Sequence, residues 1–218
     1  MRFLTFNIHH AEGTDGAVRP HRIAETIRTL APDVVGLQEV RRGFPLGDQP
    51  ATFGRRLRME RAFQPTVRVR GYDFGNLLLT RGQIVKAERL VLPSAQAVAR
   101  GCLLARVELE GARFAVAVTH LGVRVADLEP HLELLLEFLP SAEPLVLLGD
   151  FNATVSQLAP LGELLTLPAD SPPTYPAQKP VAAIDLIGFS RHWRLTSLNA
   201  TPSAASDHLP LVAELELA

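Results

Sequence analysis

The stretch LVLLGDFNA, residues 145–153, joins four consecutive apolar residues to a glycine, a carboxylate, an aromatic ring and an amide. Four apolar residues in a row predict a strand that is buried on both faces. Asp150 and Asn152 are two residues apart, so in a continuing strand both side chains would leave the same face and could bind a metal, a water or a phosphate. Taken alone, the same Gly, Asp and Asn favour a β-turn. The stretch therefore predicts a buried strand that ends in polar groups.

Other apolar runs also end in, or open with, a residue that carries an oxygen or imidazole ligand. One junction of this kind is common, but six in one chain are difficult to attribute to chance. We therefore interpret them as one set of candidate functional residues. They are Asn7 in TFNIHH, Glu39 in VVGLQEV, His120 in AVAVTHL, Asp150 in LGDFNA, Asp185 in AAIDLIGFS, and Asp207 with His208 in SDHLPLVAEL.

Seven segments, TFNIHH, DVVGLQEV, FGNLLLTR, VTHL, LGDFNA, TYPAQKPVAAIDLIGFS and SDHLPLVAEL, resemble the endonuclease/exonuclease/phosphatase superfamily, the DNase I-like metal-dependent phosphoesterases. They span nearly the whole chain in the superfamily's order. The resemblance implies an α+β fold, a four-layer α/β sandwich in which two packed, mainly antiparallel β-sheets are flanked by helices, with the site at the strand ends. We expect a single domain over residues 1–218.

The periodicity of the chain agrees with this fold class, because strand patterns predominate and helices occur at wide intervals. Helices are predicted near residues 20–30, 49–59, 127–139 and 157–165. Strands are predicted near residues 2–8, 34–40, 62–69, 76–80, 84–92, 102–109, 113–120, 145–150, 183–189, 194–198 and 209–217.

Composition indicates an ordinary soluble globular protein, with 218 residues, 47% hydrophobic and 21% charged. Cys102 is the only cysteine, which excludes an internal disulfide and a cysteine-based zinc site and suits a reducing compartment. Neither a signal peptide nor an apolar run of about 18 residues is recognisable. We therefore expect a cytoplasmic protein without a membrane span, and the sequence indicates no obligate protein partner.

Charge is distributed unevenly along the chain although the formal net charge is −1. Residues 1–109 hold 17 Lys and Arg against 10 Asp and Glu, whereas residues 110–218 hold 5 against 13. This asymmetry is compatible with a polyanionic substrate or simply with a solvated helix face. The pI of 6.7 does not support binding of long duplex DNA. The basic cluster comprises Arg41, Arg42, Arg55, Arg56, Arg58, Arg61, Arg68 and Arg70.

Hydrolysis of a phosphate ester passes through a charged transition state and uses a hard divalent cation held by oxygen ligands. The resemblance implies Mg²⁺ or Mn²⁺, with Glu39 as a ligand, Asn7 as a neutral oxygen close by, and Asp207 reaching the metal or its waters. Mg²⁺ keeps several waters, so two or three protein ligands would suffice. Asp150 is an alternative ligand for a second metal, and the sequence leaves the number of metals open.

Four residues are candidates for activating the attacking water and for transferring protons. Asp150 is the candidate that orients and deprotonates the attacking water, with Asn152 holding that water or a phosphate oxygen. His208 would stabilise the phosphoryl oxygens or transfer a proton, and the resemblance implies Asp185 as the carboxylate that fixes its ring. Whether Asp150 or His208 is the general base stays open at this point.

Phosphate contacts are expected from His120, which matches an H-L motif after a strand, from Asn152, and from Asn76 in a G-N motif. Arg100 is a further candidate phosphate ligand. His10 lies in NIHHAEGTDG, which resembles the opening of bacterial members, but it receives no assigned role. The remaining histidines have no spacing that selects a metal and are interpreted as ordinary, partly exposed residues: His9, His21, His131 and His192.

The function that these residues predict is a phosphodiesterase or nuclease acting on nucleic acid ends, nucleotides or another small phosphoester by in-line attack of an activated water. Two alternatives remain open: a phosphomonoesterase or lipid phosphodiesterase of the same superfamily, and a catalytically silent binding module on this fold. Glu39, Asp150 and His208 are all present, which favours the enzyme. Asp185 is followed by Leu186, not by the Arg typical of inositol-polyphosphate phosphatases.

Overall fold

Strands and short helices alternate along the chain in the computed structural model, which describes residues 1–43, 47–69, 71–94 and 98–218. Arg70 of the basic cluster lies outside the described residues. None of the helices in the described ranges has the length and apolar composition needed to cross a membrane. The helices are α1 (Pro20–Leu30), α2 (Gln49–Leu57) and α3 (Val125–Phe138), with 3₁₀ segments at His9–Ala11 and Val155–Glu163. The strands are β1 (Arg2–Asn7), β2 (Val34–Gly43), β3 (Gly47–Asp48), β4 (Glu60–Val69), β5 (Tyr72–Thr80), β6 (Gln83–Leu92), β7 (Arg100–Leu109), β8 (Ala112–His120), β9 (Leu145–Asp150), β10 (Asp185–Phe189), β11 (Trp193–Ala200) and β12 (Leu211–Leu217).

The strands form two mixed sheets. Within the described ranges the first sheet has the order β11-β12-β1-β2-β5-β4, with β3 pairing with β2, and the second has the order β10-β9-β8-β7-β6. The pairs β1–β2 and β8–β9 are parallel, and the others are antiparallel. Parallel neighbours require a crossover; α1 provides it for the first pair and α3 for the second. In each parallel pair the carboxyl ends of the two strands lie side by side at the same end of the sheet.

The two sheets pack face to face through a buried aromatic cluster. Phe3 and Trp193 of the first sheet meet Phe114 of the second in edge-to-face contacts with ring centroids 5.3–6.0 Å apart. Such pairs add about 0.5–1.5 kcal/mol each beyond the area that they bury. Trp193 therefore serves core packing. Cys102 is also fully buried in the core.

Helices cover the outer face of each sheet, which completes four layers and confirms the predicted fold class. Ile23 and Ile27 of α1 and Phe53 of α2 pack on the first sheet. Leu132 and Leu135 of α3 pack on the second sheet, as do apolar residues of the 155–163 segment.

Predicted and observed elements differ mainly at their ends. The predicted helix near 157–165 is a 3₁₀ segment that contains Pro160, whose ring and missing N–H are incompatible with a regular α-helix interior. The second helix ends at Leu57, because Arg58 takes a left-handed conformation as its C-cap. The last strand begins at Leu211, after Pro210, which has no N–H to donate to a neighbouring strand.

Candidate active site

The candidate residues converge where the strand ends of the two sheets meet. Asn7 ends β1, and its amide nitrogen donates a hydrogen bond of 2.8 Å to Oδ2 of Asp150 at the end of β9. This bond links the first sheet to the second. Asp185 pairs with Asp150 in the β10–β9 ladder, and His120 pairs with Asp150 in the β8–β9 ladder. The sheet register thus places Asp185 and His120 beside the Asp150 carboxylate, and the hydrogen bond from Asn7 brings a third predicted residue to it.

Glu39 reaches the same point through an irregular backbone. The β2–β5 register shifts between Leu37 and Val40, and Glu39 in this bulge has φ of +58°. A bulge redirects a side chain, and a left-handed non-glycine residue costs of order 1–3 kcal/mol, so the surrounding structure must hold it. The Asn7 amide nitrogen lies 3.4 Å from Oε1 of Glu39, while Oδ1 of Asn7 accepts the N–H of His9 at 3.0 Å. Asn7 thus lies between two carboxylates.

His208 forms a buried pair with Asp185. Its Nδ1 lies 2.8 Å from Oδ2 of Asp185, which also accepts the hydroxyl hydrogen of Thr174 at 2.6 Å. Burial of the ring opposes the charged form, but the hydrogen bond to Asp185 and the charges of the neighbouring carboxylates raise the pKa of His208 to about 9. Nε2 of His208 lies 3.8 Å from Oδ2 of Asp150, so the imidazolium faces that carboxylate. The Tyr175 ring packs on the His208 ring with centroids 4.7 Å apart.

Asp150 is buried, and the pKa of its carboxyl is raised as a result. Burial and the charge of Asp185 raise the pKa of the carboxyl to about 7, against the opposing effects of His208, Asn7 and the backbone N–H of Asn152. A carboxyl that titrates near neutral pH can accept a proton from a bound water.

The strand ends at Asp150 and the chain bends immediately after it, so β9 does not continue through Asn152. Asn152 has φ of +48°, and its backbone N–H donates to Oδ1 of Asp150 at 3.1 Å. Its side-chain nitrogen still lies 3.2 Å from Nε2 of His120 and donates to the Leu121 carbonyl at 3.1 Å. The stretch is therefore both a turn and a part of the cluster.

His120 and Arg100 form the far side of the cluster. Nη1 of Arg100 lies 3.3 Å from Nδ1 of His120, whose Nε2 lies 3.4 Å from Oδ2 of Asp150. Burial, then the charges of Arg100 and His208, hold the pKa of His120 well below its ordinary value. Because guanidinium can only donate, Nδ1 of His120 accepts from Arg100, which leaves the proton of the neutral ring on Nε2, facing Asp150. The Asn152 amide nitrogen then donates to the Leu121 carbonyl and not to His120.

Asn76 is buried behind this group and faces the backbone. Its amide nitrogen donates to the carbonyl of Gly101 at 2.8 Å and to Oε1 of Gln64 at 3.3 Å. The bond to Gly101 connects β5 in the first sheet to β7 in the second, next to Arg100, whereas the bond to Gln64 joins β5 to its neighbour β4. The contacts agree with a supporting role, and the predicted phosphate contact of Asn76 stays a prediction.

Sequence reasoning missed His9 and His10. His9, His10 and Ala11 have φ of +41°, +50° and +71°, an unusual run of left-handed non-glycine residues. The turn places Nδ1 of His10 3.4 Å from Oε2 of Glu39, and Nδ1 of His9 3.7 Å from Oδ1 of Asp207. Burial, then the charges of Arg41 and His9, lower the pKa of His10 to about 4, so its ring is neutral. The available signal was the consecutive pair of histidines directly after the β1 strand end.

The residues around Glu39 and Asp207 fit a divalent cation. Carboxylate and amide oxygens are the ligands that hard cations prefer. Glu39 and Asp207 are about a quarter and a third exposed, and in the described ranges each has only a histidine within ion-pair distance. The cluster therefore contains four carboxylates and few fixed positive charges to balance them. The four belong to Glu39, Asp150, Asp185 and Asp207. Two groups of potential ligands have their atoms within 4.8 Å of one another: His9, His10 and Glu39, and Asp150, Asp185 and His208.

Two mixed sheets packed between helices, with this cluster at their strand ends, define the DNase I-like class of α+β sandwiches. The chain belongs to the Endonuclease/Exonuclease/phosphatase family, whose sequence model matches residues 4–208. This is a family of hydrolytic phosphoesterases. The match confirms the superfamily that the sequence motifs indicated.

Solved structures with the same fold come from bacteria and from humans. An endonuclease/exonuclease/phosphatase from Beutenbergia cavernae DSM 12333 is 26% identical with a TM-score of 0.87, over 100% of this chain and 71% of that one. The Bacteroides thetaiotaomicron VPI-5482 mannosyl-6-phosphatase Bt3783 is 16% identical with a TM-score of 0.81, over the full length of both chains. The human Nocturnin catalytic domain, solved with a bound sulfate anion, is 23% identical with a TM-score of 0.76, over 100% of this chain and 94% of that one. No curated protein sequence gives a significant match.

Proposed function

We propose that the protein is a divalent-metal-dependent phosphoesterase that hydrolyses the P–O bond of a phosphodiester by in-line attack of an activated water. The observation that carries this proposal is the buried Asp150 carboxylate, which lies between the His208–Asp185 pair and the Asn7–Glu39 pair. This arrangement brings together a candidate base, Asp150, a charged donor, His208, and the oxygen ligands of Asn7 and Glu39. The Nocturnin domain was solved with a bound sulfate anion, and sulfate resembles phosphate in shape and charge.

Glu39, Asn7 and Asp207 would hold the metal, with Mg²⁺ or Mn²⁺ as the proposed ion. The bound ion would neutralise charge on the phosphate and polarise it for attack. Asn7 would use its amide oxygen, which here accepts the N–H of His9. Asp150 remains the alternative ligand if a second ion binds.

Asp150 is proposed as the general base and His208 as the charged donor to the phosphoryl oxygens. A pKa near 7 leaves a useful fraction of Asp150 ionised at neutral pH, whereas His208 with a pKa of about 9 is protonated and a poor base there. Asp185 positions the ring by accepting from Nδ1, so that Nε2 carries its proton toward the substrate side. Of the two candidates that the sequence left open, we therefore propose Asp150 as the general base.

Arg100, His120 and Asn152 are proposed to bind the non-reacting phosphate oxygens, with Asn76 supporting them. The neutral ring of His120 offers an N–H on Nε2, and Arg100 offers a full positive charge beside it. The substrate is proposed to be a nucleotide, a nucleic acid end or another small phosphoester. A cytoplasmic location is part of the proposal and rests on the use of a single, buried cysteine.

A phosphomonoesterase is the second candidate, because the Bacteroides thetaiotaomicron neighbour is described as a mannosyl-6-phosphatase. A lipid phosphodiesterase belongs to the same alternative. A silent binding module is less well supported, since Asp150, the His208–Asp185 pair and Glu39 are all present, and Asn7 links Asp150 to Glu39.

Hydrolysis of a substrate panel tests the proposal. The panel contains bis-p-nitrophenyl phosphate, p-nitrophenyl phosphate, single- and double-stranded oligonucleotides and a phospholipid, each with Mg²⁺, with Mn²⁺ and with chelator. We expect metal-dependent cleavage of the diester or an oligonucleotide, and cleavage of p-nitrophenyl phosphate alone would select the monoesterase. Absence of metal-dependent cleavage from the whole panel would contradict the proposed activity.

Asp150→Asn provides the residue-level test within this assay. Loss of the base should lower kcat by roughly 10²–10⁴-fold, the usual contribution of general acid–base catalysis. Asp170→Asn, which changes an exposed carboxylate away from the cluster, is the matched control and should retain full activity. Near-parental turnover by Asp150→Asn would exclude Asp150 as the base.

A further inference from the structure

A cleft of about 200 Å³ opens directly beside the candidate active site. Its inner end is formed by Glu39, His120 and Arg100, which belong to the site. Its other walls come from β4, β5 and the segment before β7, where the side chains are largely apolar: Val67, Val69, Phe74 and Val98. The cleft is therefore continuous with the proposed phosphate-binding group.

Two β-bulges that flank Gly75 shape this cleft. Gly75 pairs with Val40 on one side and with Pro65 on the other, and the register shifts next to both partners. Bulges bend a strand and locally disrupt its pairing. The bulge in β2 carries Glu39 toward the site, and the bulge in β4 lies beside Val67 on the opposite side of β5. The cleft thus follows from the backbone and not only from side-chain positions.

The polarity of the walls divides the cleft into two ends. Arg100 and His120 offer donors to an anion, whereas the three valines and Phe74 offer no polar side-chain atom. The Thr66 hydroxyl, which also lines the cleft, is taken up by the Phe74 carbonyl at 3.3 Å, and the His10 ring lies against Phe74. A hydroxyl-rich or charged group placed against these valines would lose hydrogen bonds to water without replacement. An apolar group gains free energy there, because its surface is removed from water.

The size of the cleft limits what it holds. Pockets for drug-sized ligands measure about 300–1,000 Å³, so a cleft of about 200 Å³ suits a single ring or a short chain.

We propose that this cleft binds the organic group esterified to the phosphate, and that this group is compact and largely apolar, about the size of one aromatic ring. The inference rests on the proposed function, since it takes the neighbouring cluster as the phosphate site. It selects aryl, nucleobase-like and short alkyl esters over polyhydroxylated and polyphosphorylated ones.

Phosphonates test this selectivity without turnover, because their P–C bond is not hydrolysed at a phosphoesterase site. Calorimetric titration of the Mn²⁺-loaded protein compares phenylphosphonate, methylphosphonate and 2,3-dihydroxypropylphosphonate. We expect phenylphosphonate to bind at least tenfold more tightly than either of the others. Equal affinities, or a preference for the dihydroxypropyl compound, would overturn the proposal and leave the phosphate site intact. No binding of any phosphonate would overturn the proposed function itself, and this inference with it.

Substitutions of Val67 test whether the preference for phenylphosphonate arises in the cleft. Val67→Trp fills the cleft and should reduce the affinity for phenylphosphonate to that for methylphosphonate, without changing the latter. Val85→Trp, at an exposed valine of β6 outside the cleft, is the matched control and should keep the tenfold preference. Val67→Asn is a smaller change that should reduce the preference severalfold. It replaces the tryptophan variant in this test if that variant does not fold. An unchanged preference in a folded Val67 variant would refute the proposed location.

Discussion

The His208–Asp185 pair predicts how the stability of the metal-free protein depends on pH. The pKa of His208 is raised from 6.5 to about 9 in the folded state, so the stabilisation by its protonation is fully present below pH 6.5 and is lost as the pH rises through 9. At about 1.4 kcal/mol for each unit of pKa shift, the loss is at most about 3.5 kcal/mol. Urea unfolding in chelator at pH 6, 7, 8 and 9 measures it.

His208→Gln should flatten this pH dependence above pH 6.5, because glutamine does not titrate. The raised pKa of Asp150 acts in the same direction at lower pH, since its protonated form is favoured by folding and is lost as the pH rises through about 7. A residual slope near pH 7 is therefore expected in the variant. A parental slope between pH 8 and 9 would show that His208 is not charged in the folded protein.

His10 predicts a preference among metal ions. Its Nδ1 lies 3.4 Å from Oε2 of Glu39, within the span of two ligands of one ion. Imidazole nitrogen suits transition metals, whereas Mg²⁺ favours oxygen. We therefore expect Mn²⁺ to bind more tightly than Mg²⁺, and His10→Gln to weaken Mn²⁺ binding severalfold with little effect on Mg²⁺. Electron paramagnetic resonance of free Mn²⁺, with Mg²⁺ as competitor, measures both affinities.

His21→Gln is the control for this metal-binding test, because His21 is exposed on α1, away from Glu39. It should leave both affinities unchanged. Parental binding of Mn²⁺ by His10→Gln would mean that His10 is not a ligand, and its position beside Glu39 would then reflect only the geometry of the turn.

At the scale of secondary-structure elements, Gly36 in β2 sets how closely the two sheets approach. A Cβ at this position would lie 2.9 Å from Cβ of Leu148 and 3.1 Å from Cγ2 of Val118, both in the second sheet. Gly36→Val should therefore destabilise the protein by about 1–3 kcal/mol, the typical cost of overpacking a core. Gly162→Ala, where a Cβ meets nothing within 4 Å, should change stability much less. Denaturant midpoints compare the two, and equal midpoints would show that the sheets can separate without cost.

The sequence predicts an element where the local pattern of apolar residues determines the structure. It does not predict backbone conformations that depend on pairing between distant strands. The run 145–148 is apolar on both faces, and the structure shows it as a fully buried strand. The left-handed conformations of Glu39 and His10 have no such local signal, because they depend on the β2–β5 register and on contacts across the sheets. The motifs could therefore name Glu39, whereas the role of the histidine turn became visible only with the packed structure.

At the scale of the whole molecule, the cluster joins both sheets. Asn7 and Glu39 come from the first sheet, Asp150 and His120 from the second, and the bond between Asn7 and Asp150 crosses between them. No local pattern indicates that these strand ends meet, and the superfamily resemblance supplied that expectation. Their convergence couples ligand binding at the cluster to the packing of the two sheets.

This coupling predicts that a metal ion stabilises the entire chain as one cooperative unit. An ion that binds only the folded protein adds RT ln(1 + [L]/Kd), about 2.7 kcal/mol at 100 times its Kd. For a domain of about 150–250 residues, each kcal/mol raises Tm by roughly 2–4 °C, so saturating Mn²⁺ should shift Tm upward by several degrees. Calorimetry should show one transition, consistent with a single domain over residues 1–218. Two transitions, of which only one moved, would show that the sheets unfold separately and that the site belongs to one of them. An unchanged Tm would argue against metal binding by the folded chain.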